Sequence, residues 1–174
     1  IGTDATGLSP MGNDQQGVRI ENSGGNLIGG TTERAGNVLA SNATGIELSG
    51  LGTTGNVIQG NLIGTDVAGS NALGNVAYGI LILKGAVLET IGGTDPGAGN
   101  VISGNGTGLS IIGPDSNRIT LVGNKVGTDA TGTFRIANRQ SGLIITNSPD
   151  NVIGGAVRGA GNLISGNATS GIFI

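Results

Sequence analysis

Short apolar segments recur along the whole chain and are separated by stretches rich in glycine and asparagine. They fall into three families, each anchored by an Ile, Leu or Val that returns about once every 31 residues. The first family has its anchors at Ile28, Ile58, Ile91, Ile119 and Ile153. The second has them at Ile1, Leu39, Ile63, Ile102, Val126 and Ile164. The third has them at Ile20, Leu48, Ile82, Ile111, Ile145 and Ile174. Three short strands in each such repeat predict one turn of a parallel β-helix.

A longer repeat of 62 to 63 residues, equal to two of these turns, is superimposed on the pattern. Its clearest marker is a Gly-Thr-Asp motif, seen in Ile1-Gly-Thr-Asp4, Ile63-Gly-Thr-Asp66 and Val126-Gly-Thr-Asp129. The repeats cover about 1–62, 63–125 and 126–174. The sequence therefore predicts an all-β chain, a right-handed parallel β-helix of about six turns of three short strands, with loops inserted at alternating corners. We expect a single segment of a longer solenoid. The alternative, a β-sandwich built from hairpins, would not explain three families of apolar segments that stay in register over all the turns.

Glycine, proline and asparagine mark the corners between the apolar segments. All four prolines lie outside the segments, as they must if the segments donate ladder hydrogen bonds. Asparagine recurs where segments begin, at Asn26, Asn56, Asn117 and Asn151 in the first family and at Asn37, Asn61, Asn100, Asn124 and Asn162 in the second. Since asparagine tolerates left-handed backbone angles and bonds locally to the chain, stacked asparagines at the corners are expected. Triplets beginning at Asn42, Asn105 and Asn167 match glycosylation acceptors, but their recurrence at one corner favours turn geometry.

Composition excludes several classes of protein. Glycine makes up 37 of the 174 residues, and each glycine in a helix interior costs on the order of 1 kcal/mol, so a helical chain is excluded. Histidine and cysteine are absent, which removes disulfides, thiolate metal sites and the commonest general base. With 8 basic and 11 acidic residues, the chain has no electrostatic footprint for nucleic acid. No apolar run of about 20 residues predicts a membrane span.

Three long loops, residues 3–16, 65–78 and 128–141, leave the predicted helix after alternate strands of the second family. An aligned apolar residue, Met11, Leu73 or Ile136, is expected to anchor each loop. Loops on a rigid scaffold are common binding sites. The weak candidates for contacts with a carbohydrate or protein ligand are Tyr78, Phe134, Arg135 and Arg139. Solvated loop tips without a ligand are the alternative.

The aspartates of the repeated motif, Asp4, Asp66 and Asp129, are weak candidates for calcium binding. They recur only every second turn, roughly 10 Å apart, which is too far for them to share one ion. A local turn in which each carboxylate bonds its own loop explains the motif better. We therefore expect no metal and no other cofactor.

The outward strand positions are assigned by alternation from the anchors. They place Arg19 beside Glu47 as a surface ion pair, and no outward face carries the paired acids that glycoside hydrolysis needs. No catalytic residue is therefore assigned. The same alternation gives an outward apolar stripe that a partner is expected to cover, formed by Leu81, Leu83, Ile112, Ile144 and Phe173.

The repeat contains several sequence motifs, such as Gly99-Asn-Val-Ile-Ser-Gly-Asn105 and Ile91-Gly-Gly-Thr94. These motifs resemble the repeats of large bacterial secreted or surface proteins. These proteins belong to the right-handed parallel β-helix group with a pectate-lyase-like fold, and the resemblance covers the whole chain. It implies an extracellular or cell-surface location. The enzymes of that group use acidic clusters on one face, and this sequence has no match to those clusters.

Two functions remain open at this stage. The first is a non-enzymatic structural or adhesive segment of a secreted or cell-surface protein, binding carbohydrate or protein through its loops. The alternative is a carbohydrate-active β-helix enzyme, such as a polysaccharide lyase, hydrolase or epimerase, with catalytic turns partly outside this segment. The expected partners are such a ligand and the remainder of a longer β-helix or another subunit, which would cover the ends and the apolar stripe.

Overall fold

The computed structural model describes residues 1–32 and 34–174, which form an all-β chain with sixteen strands and no helix. Sheet 1 contains β1 (Gln16–Glu21), β4 (Thr44–Ser49), β7 (Tyr78–Leu83), β10 (Thr107–Ile112), β13 (Leu143–Thr146) and β16 (Ile172–Phe173). Sheet 2 contains β2 (Leu27–Gly29), β5 (Val57–Gln59), β8 (Thr90–Gly92), β11 (Thr120–Val122) and β14 (Val152–Ile153). Sheet 3 contains β3 (Val38–Leu39), β6 (Leu62–Ile63), β9 (Val101–Ile102), β12 (Lys125–Val126) and β15 (Leu163–Ile164).

Each strand pairs in parallel with the third strand before or after it, so three consecutive strands form one turn of a β-solenoid. This confirms the predicted parallel β-helix. The structure has about five turns where the sequence predicts about six. Near the start of the chain, the Ile1 carbonyl accepts a backbone hydrogen bond from Ala40 at 3.0 Å, but no strand forms there.

The core consists of aliphatic side chains stacked from turn to turn. In sheet 1 the register aligns the predicted anchors Ile20, Leu48, Ile82, Ile111 and Ile145, all of them buried. Glycine at the start of these strands leaves room for the corner. A Cβ atom on Gly79, for example, would lie 2.9 Å from both the Asn105 side-chain nitrogen and Ile102 Cγ2. In the four inner turns, the glycine three residues before the anchor (Gly45, Gly79, Gly108 or Gly142) is therefore required by the close approach of the corner asparagine and the sheet 3 core.

One predicted anchor of sheet 2 is wrong. The register pairs Ile91 with Leu121, and Leu121 in turn with Ile153, so Leu121 occupies the position in the sheet 2 column that the sequence analysis gives to Ile119. Ile119 is also fully buried, but it lies two residues earlier, at the corner. An anchor at Ile119 predicts Arg118 as the outward residue before it, whereas the observed anchor, Leu121, makes Thr120 the outward residue.

Asparagine ladders run along two of the three corners, as hydrogen-bonded columns. In each, the side-chain Nδ2 of one asparagine donates to Oδ1 of the asparagine in the next turn. The column before sheet 3 was predicted and comprises Asn37, Asn61, Asn100, Asn124 and Asn162, with all four Nδ2–Oδ1 distances at 3.0 Å. The column before sheet 1 was missed and comprises Asn13, Asn42, Asn75, Asn105, Asn138 and Asn167, with distances of 2.8 to 3.2 Å. Since Asn42 and Asn105 are fully buried in it, turn geometry explains their triplets.

Two glycines at equivalent corners provide a test of the stacking. A Cβ atom on Gly99 would collide with the Gly123 carbonyl oxygen of the next turn, whereas a Cβ atom on Gly161 would meet nothing within 4 Å. Neither glycine has a positive φ, so alanine fits the backbone at both positions.

We expect Gly99→Ala to lower the free energy of unfolding by about 2 kcal/mol or more, because the neighbouring backbone must move. Gly161→Ala should change it by less than about 0.5 kcal/mol. Urea unfolding followed by circular dichroism measures both, and equal effects would contradict the stacking.

Candidate functional site

Three long hairpins leave the solenoid between sheet 3 and sheet 1, as the loop spacing predicts. An antiparallel bridge closes each hairpin, between Thr3 and Pro10, between Thr65 and Ala72, and between Thr128 and Arg135. The hairpins also bond to one another across two turns. The Val67 amide donates to the Gly7 carbonyl at 3.1 Å, and the Ala130 amide donates to the Gly69 carbonyl at 2.9 Å. The hairpins therefore form a connected row along one corner.

The apolar anchors of these hairpins differ in burial. Ile136 is buried and Leu73 is half-buried, which agrees with the expected anchoring role. Met11 is 68% exposed, so the first hairpin lacks this anchor and the expectation is wrong there. Backbone hydrogen bonds from Ser41 to the Leu73 carbonyl and from Gly104 to the Ile136 carbonyl fix the second and third hairpins, each to the turn that precedes it.

The repeated aspartate at the base of each hairpin bonds its own loop. Asp129 accepts hydrogen bonds from the amides of Thr133 and Phe134, at 2.8 and 2.9 Å, and from the Thr131 hydroxyl at 2.6 Å. The Thr131 hydroxyl and these amides lower the pKa of Asp129 to about 2. At Asp66 burial works to raise the pKa, but hydrogen bonds from Asn71 and Ser70 outweigh it and the pKa is lowered.

Asp4 follows the same pattern in the first hairpin. Its carboxylate accepts from the Thr6 hydroxyl at 2.8 Å and from the amides of Leu8 and Ser9 at 3.2 Å, and its pKa is lowered, chiefly by Thr6. The three weak calcium candidates thus serve as acceptors for their own loops. Within residues 1–32 and 34–174, no three potential metal ligands among His, Cys, Asp and Glu come together.

Removal of one carboxylate tests this structural role. In Asp129→Ala, the Phe134 amide loses its acceptor and the Thr133 amide keeps only the Thr131 hydroxyl, at 3.2 Å, so we expect the hydrogen exchange of both amides, and of Phe134 above all, to accelerate at least about tenfold. In the parent chain, both amides should stay protected at pH values below the ordinary pKa of aspartate, because the pKa of Asp129 is lower in the folded chain than in the unfolded chain. The protection should be lost only as the pH falls towards about 2, where the Asp129 carboxylate takes up a proton. The exposed Asp14→Ala is the control. Unchanged exchange in Asp129→Ala would show that the carboxylate does not hold the hairpin.

The predicted ligand residues lie in two separate places. Phe134, at the third hairpin, is 70% exposed, and the adjacent Arg135 donates from Nε to the Gly166 carbonyl at 2.6 Å. Arg139 instead donates to the carbonyls of Asn75 and Val76, at 3.1 and 2.9 Å. Tyr78 is half-buried. The structure therefore does not gather the four residues into one site.

Tyr78 lines a small recess of about 120 Å³ with Thr107 and Gln140, next to the backbone that Arg139 bonds. The Thr107 hydroxyl is within hydrogen-bonding distance of the Gln140 side-chain oxygen, at 3.2 Å. The recess offers one aromatic ring and two polar side chains. It is large enough for part of a sugar ring or a single side chain.

Two larger clefts lie at the corner between sheets 2 and 3 and were not found from the sequence. They have volumes of about 480 and 530 Å³. The smaller lies between loops 92–100 and 154–162, and the larger between loops 29–37 and 92–100. Most of their lining repeats after 62 or 63 residues, including Gly30 and Gly93, Thr31 and Thr94, and Gly60 and Gly123. The clefts are thus two copies of one feature, two turns or roughly 10 Å apart.

The two copies carry different charged side chains, and Arg34 lines the larger cleft. Lys125 lines the smaller cleft where Leu62 lines the larger one, and Arg158 and Asp95 contribute further charges to the smaller cleft. In the part of the chain that the structure describes, neither Lys125 nor Arg158 takes part in an ion pair. Two cations and one acid give the smaller cleft a net positive charge. It is therefore suited to a ligand that carries carboxylate or sulfate groups.

The outward face of sheet 1 carries a charged cluster at one end. Arg19 forms ion pairs with Glu21 at 3.0 Å and with Glu47 at 3.5 Å. Glu47 is buried and also accepts from the Gln16 side-chain nitrogen at 2.7 Å. The expectation that no outward face holds paired acids is therefore wrong, because Glu21 and Glu47 share one arginine. The Arg19–Glu47 pair was predicted correctly.

The predicted apolar stripe follows the same face. As alternation predicts, Ile82 and Ile111 are buried in the core while Ile112 and Phe173 are 37% and 58% exposed. Leu81, however, is only 9% exposed, so the stripe is less continuous than the sequence predicts.

No protein-family model matches this chain. Comparison with curated proteins and with solved structures likewise gave no match. The described residues contain no helix that could span a lipid bilayer.

Proposed function

We propose that this chain is a structural or adhesive scaffold segment of a secreted or cell-surface protein of the pectate-lyase-like β-helix type. The observation that carries the proposal is the spacing of its surface features. Both the hairpins and the clefts recur every second turn on a solenoid held by parallel ladders and asparagine columns. Such a scaffold presents equivalent binding elements at fixed intervals.

The polar chemistry of the chain supports a scaffold over an enzyme. The carboxylates of Asp66 and Asp129 are occupied by hydrogen bonds within their own hairpins, and Glu47 is held by Arg19 and Gln16. A general acid or base must be free to exchange a proton with substrate. These carboxylates therefore serve the fold.

The alternative is a carbohydrate-active enzyme with catalytic turns partly outside this segment. Glu21 and Glu47, bridged by Arg19, favour it, since two carboxylates on one face are the minimum for glycoside hydrolysis. Turnover of pectin, alginate or another acidic polysaccharide by this chain, lost in Glu21→Gln, would establish the enzyme and refute the scaffold.

We further propose that ligand binding, to carbohydrate or protein, uses the smaller cleft and the hairpins, and that another subunit or further solenoid turns cover the exposed part of the apolar stripe. Lys125 and Arg158, which form no ion pair with any residue that the structure describes, support the first part. The exposure of Ile112 and Phe173 supports the second.

A glycan array, together with a panel of immobilised extracellular matrix proteins, tests the binding role. We expect binding to glycans that carry carboxylate or sulfate groups. Lys125→Leu gives the smaller cleft the side chain that the larger cleft has at this position, and should weaken binding about tenfold or more. Tyr78→Ala and Phe134→Ala test the recess and the third hairpin. Absence of binding to every glycan and protein on both surfaces would contradict the adhesive role.

A further inference from the structure

One corner of the solenoid lacks a complete asparagine ladder. The column before sheet 2 contains Asn26, Asn56, Glu89, Ile119 and Asn151 in successive turns. The first two members bond as in the other columns, with the Asn26 side-chain nitrogen 2.8 Å from Asn56 Oδ1. The two central turns hold a carboxylate and an aliphatic side chain instead. The third column is therefore interrupted at Glu89 and Ile119.

Glu89 is fully buried and only half satisfied. Its Oε2 accepts a hydrogen bond from the Asn56 backbone amide at 2.7 Å. Its Oε1 is buried and has no hydrogen-bond partner among the residues that the structure describes. The next turn cannot supply one from its side chain, because Ile119 has neither a donor nor an acceptor. An ionised carboxylate in this position would keep one oxygen without a partner, away from water.

Among the residues that the structure describes, none of opposite charge forms an ion pair with Glu89. The corner residues packed against it from the turns on either side, Asn56 and Ile119, do not titrate. Along the sequence, Lys84 precedes Glu89 by five residues and Arg118 directly precedes Ile119, and both are exposed. Arg118 directs its Nε to the Asn117 side chain at 3.0 Å, and Glu89 takes part in no ion pair in the described part of the chain.

We propose that Glu89 is a pH-sensitive joint between the two central turns of the solenoid. When the carboxyl is protonated, the column stays closed and the turns that carry β8 and β11 remain packed. When it is ionised, the buried charge favours opening of this corner, so that the carboxylate reaches water. The other two columns hold the solenoid together while this corner opens.

Burial raises the pKa of Glu89 to about 7, against the opposing effect of the hydrogen bonds from Asn56. The pKa of Glu89 is 4.5 in the unfolded chain, so the folded chain holds the proton more tightly and protonation stabilises the fold. This stabilisation is complete below pH 4.5 and is lost as the pH rises through about 7. The joint should therefore tighten in mildly acidic solution and loosen in mildly alkaline solution. The change falls near neutral pH, where an ordinary glutamate would already be ionised.

Hydrogen exchange tests this directly, because the Thr120 amide donates to the Glu89 carbonyl across the joint at 2.9 Å. Between about pH 5 and pH 8.5, after correction for the intrinsic rate, we expect exchange at Thr120 to accelerate at least about tenfold. Glu89→Gln, which is neutral at every pH, should abolish this acceleration. Glu21→Gln, which removes an exposed carboxylate, should leave it unchanged.

A carbon-13 titration of the Glu89 carboxyl provides a second measurement that does not depend on any variant folding. A midpoint near 7 supports the joint, and a midpoint in the ordinary range of glutamate overturns it. An equal pH dependence of Thr120 exchange in Glu89→Gln and in the parent chain would also overturn it. Both results are independent of whether the clefts bind a ligand.

Discussion

Asn105→Ala should be among the most destabilising single substitutions in this chain, with an expected loss of about 3 to 5 kcal/mol in the free energy of unfolding. Asn105 is fully buried, and its Nδ2 donates to the Ile63 carbonyl at 3.0 Å and to Asn138 Oδ1 at 3.2 Å. Its Oδ1 accepts from both the amide and the side chain of Asn75. Alanine would leave several of these buried groups without partners, and each costs about 1 to 3 kcal/mol.

Asn13→Ala is the matched control, because Asn13 begins the same column and is exposed. It donates to Asn42 Oδ1, and water can replace its own lost contacts. We expect a loss below about 1 kcal/mol. Urea unfolding followed by circular dichroism suits both variants, since the chain has no tryptophan. Similar losses for Asn105→Ala and Asn13→Ala would show that the ladder does not stabilise the turns.

Ile82→Ala should produce the second large effect, a loss of about 3 to 4 kcal/mol. Ile82 is fully buried at the middle of the sheet 1 column, between Leu48 and Ile111. Because the strands are fixed by ladders on both sides, the turns cannot collapse into the space left by the side chain, and a cavity remains.

Ile112→Ala is the control for this cavity effect. Ile112 directly follows Ile111 on β10 but faces outward and is 37% exposed, so the expected loss is about 1 kcal/mol or less. Thermal or urea unfolding compares the two variants. A larger loss for Ile112→Ala than for Ile82→Ala would mean that the faces of β10 and β7 are exchanged.

Much of the architecture follows from the sequence because the spacing of the apolar anchors and of the corner asparagines repeats. The error at Ile119 arose because two buried aliphatic residues, Ile119 and Leu121, lie two positions apart, and both satisfy a hydrophobic pattern. The distance to the next strand distinguishes them. Ile58 precedes Ile63 by five residues, and Leu121 precedes Val126 by the same five. Comparison of spacings in this way would have identified Leu121.

The clefts could not be predicted in the same way. Their walls are formed mainly by glycine and threonine from loops 62 or 63 residues apart, and these residues carry no chemical signal in the sequence. The interruption at Glu89 was hidden for a related reason. Glu89 occupies an asparagine position in the column before sheet 2, and in the next turn of that column the sequence analysis placed the wrong residue as the anchor. The missing partner of its side chain is therefore visible only in three dimensions.

The most direct test of the parallel, in-register solenoid is a disulfide cross-link at the strand where the sequence and the structure differ. The chain has no cysteine, so any disulfide in it must join the two introduced cysteines. Thr90 and Thr120 are register partners on β8 and β11, and adjacent partners lie about 4.8 Å apart, within the range that a disulfide spans. The doubly substituted Thr90→Cys, Thr120→Cys chain should therefore oxidise almost completely, whereas Thr90→Cys combined with Arg118→Cys should not. Efficient cross-linking of the second pair and none of the first would contradict the account.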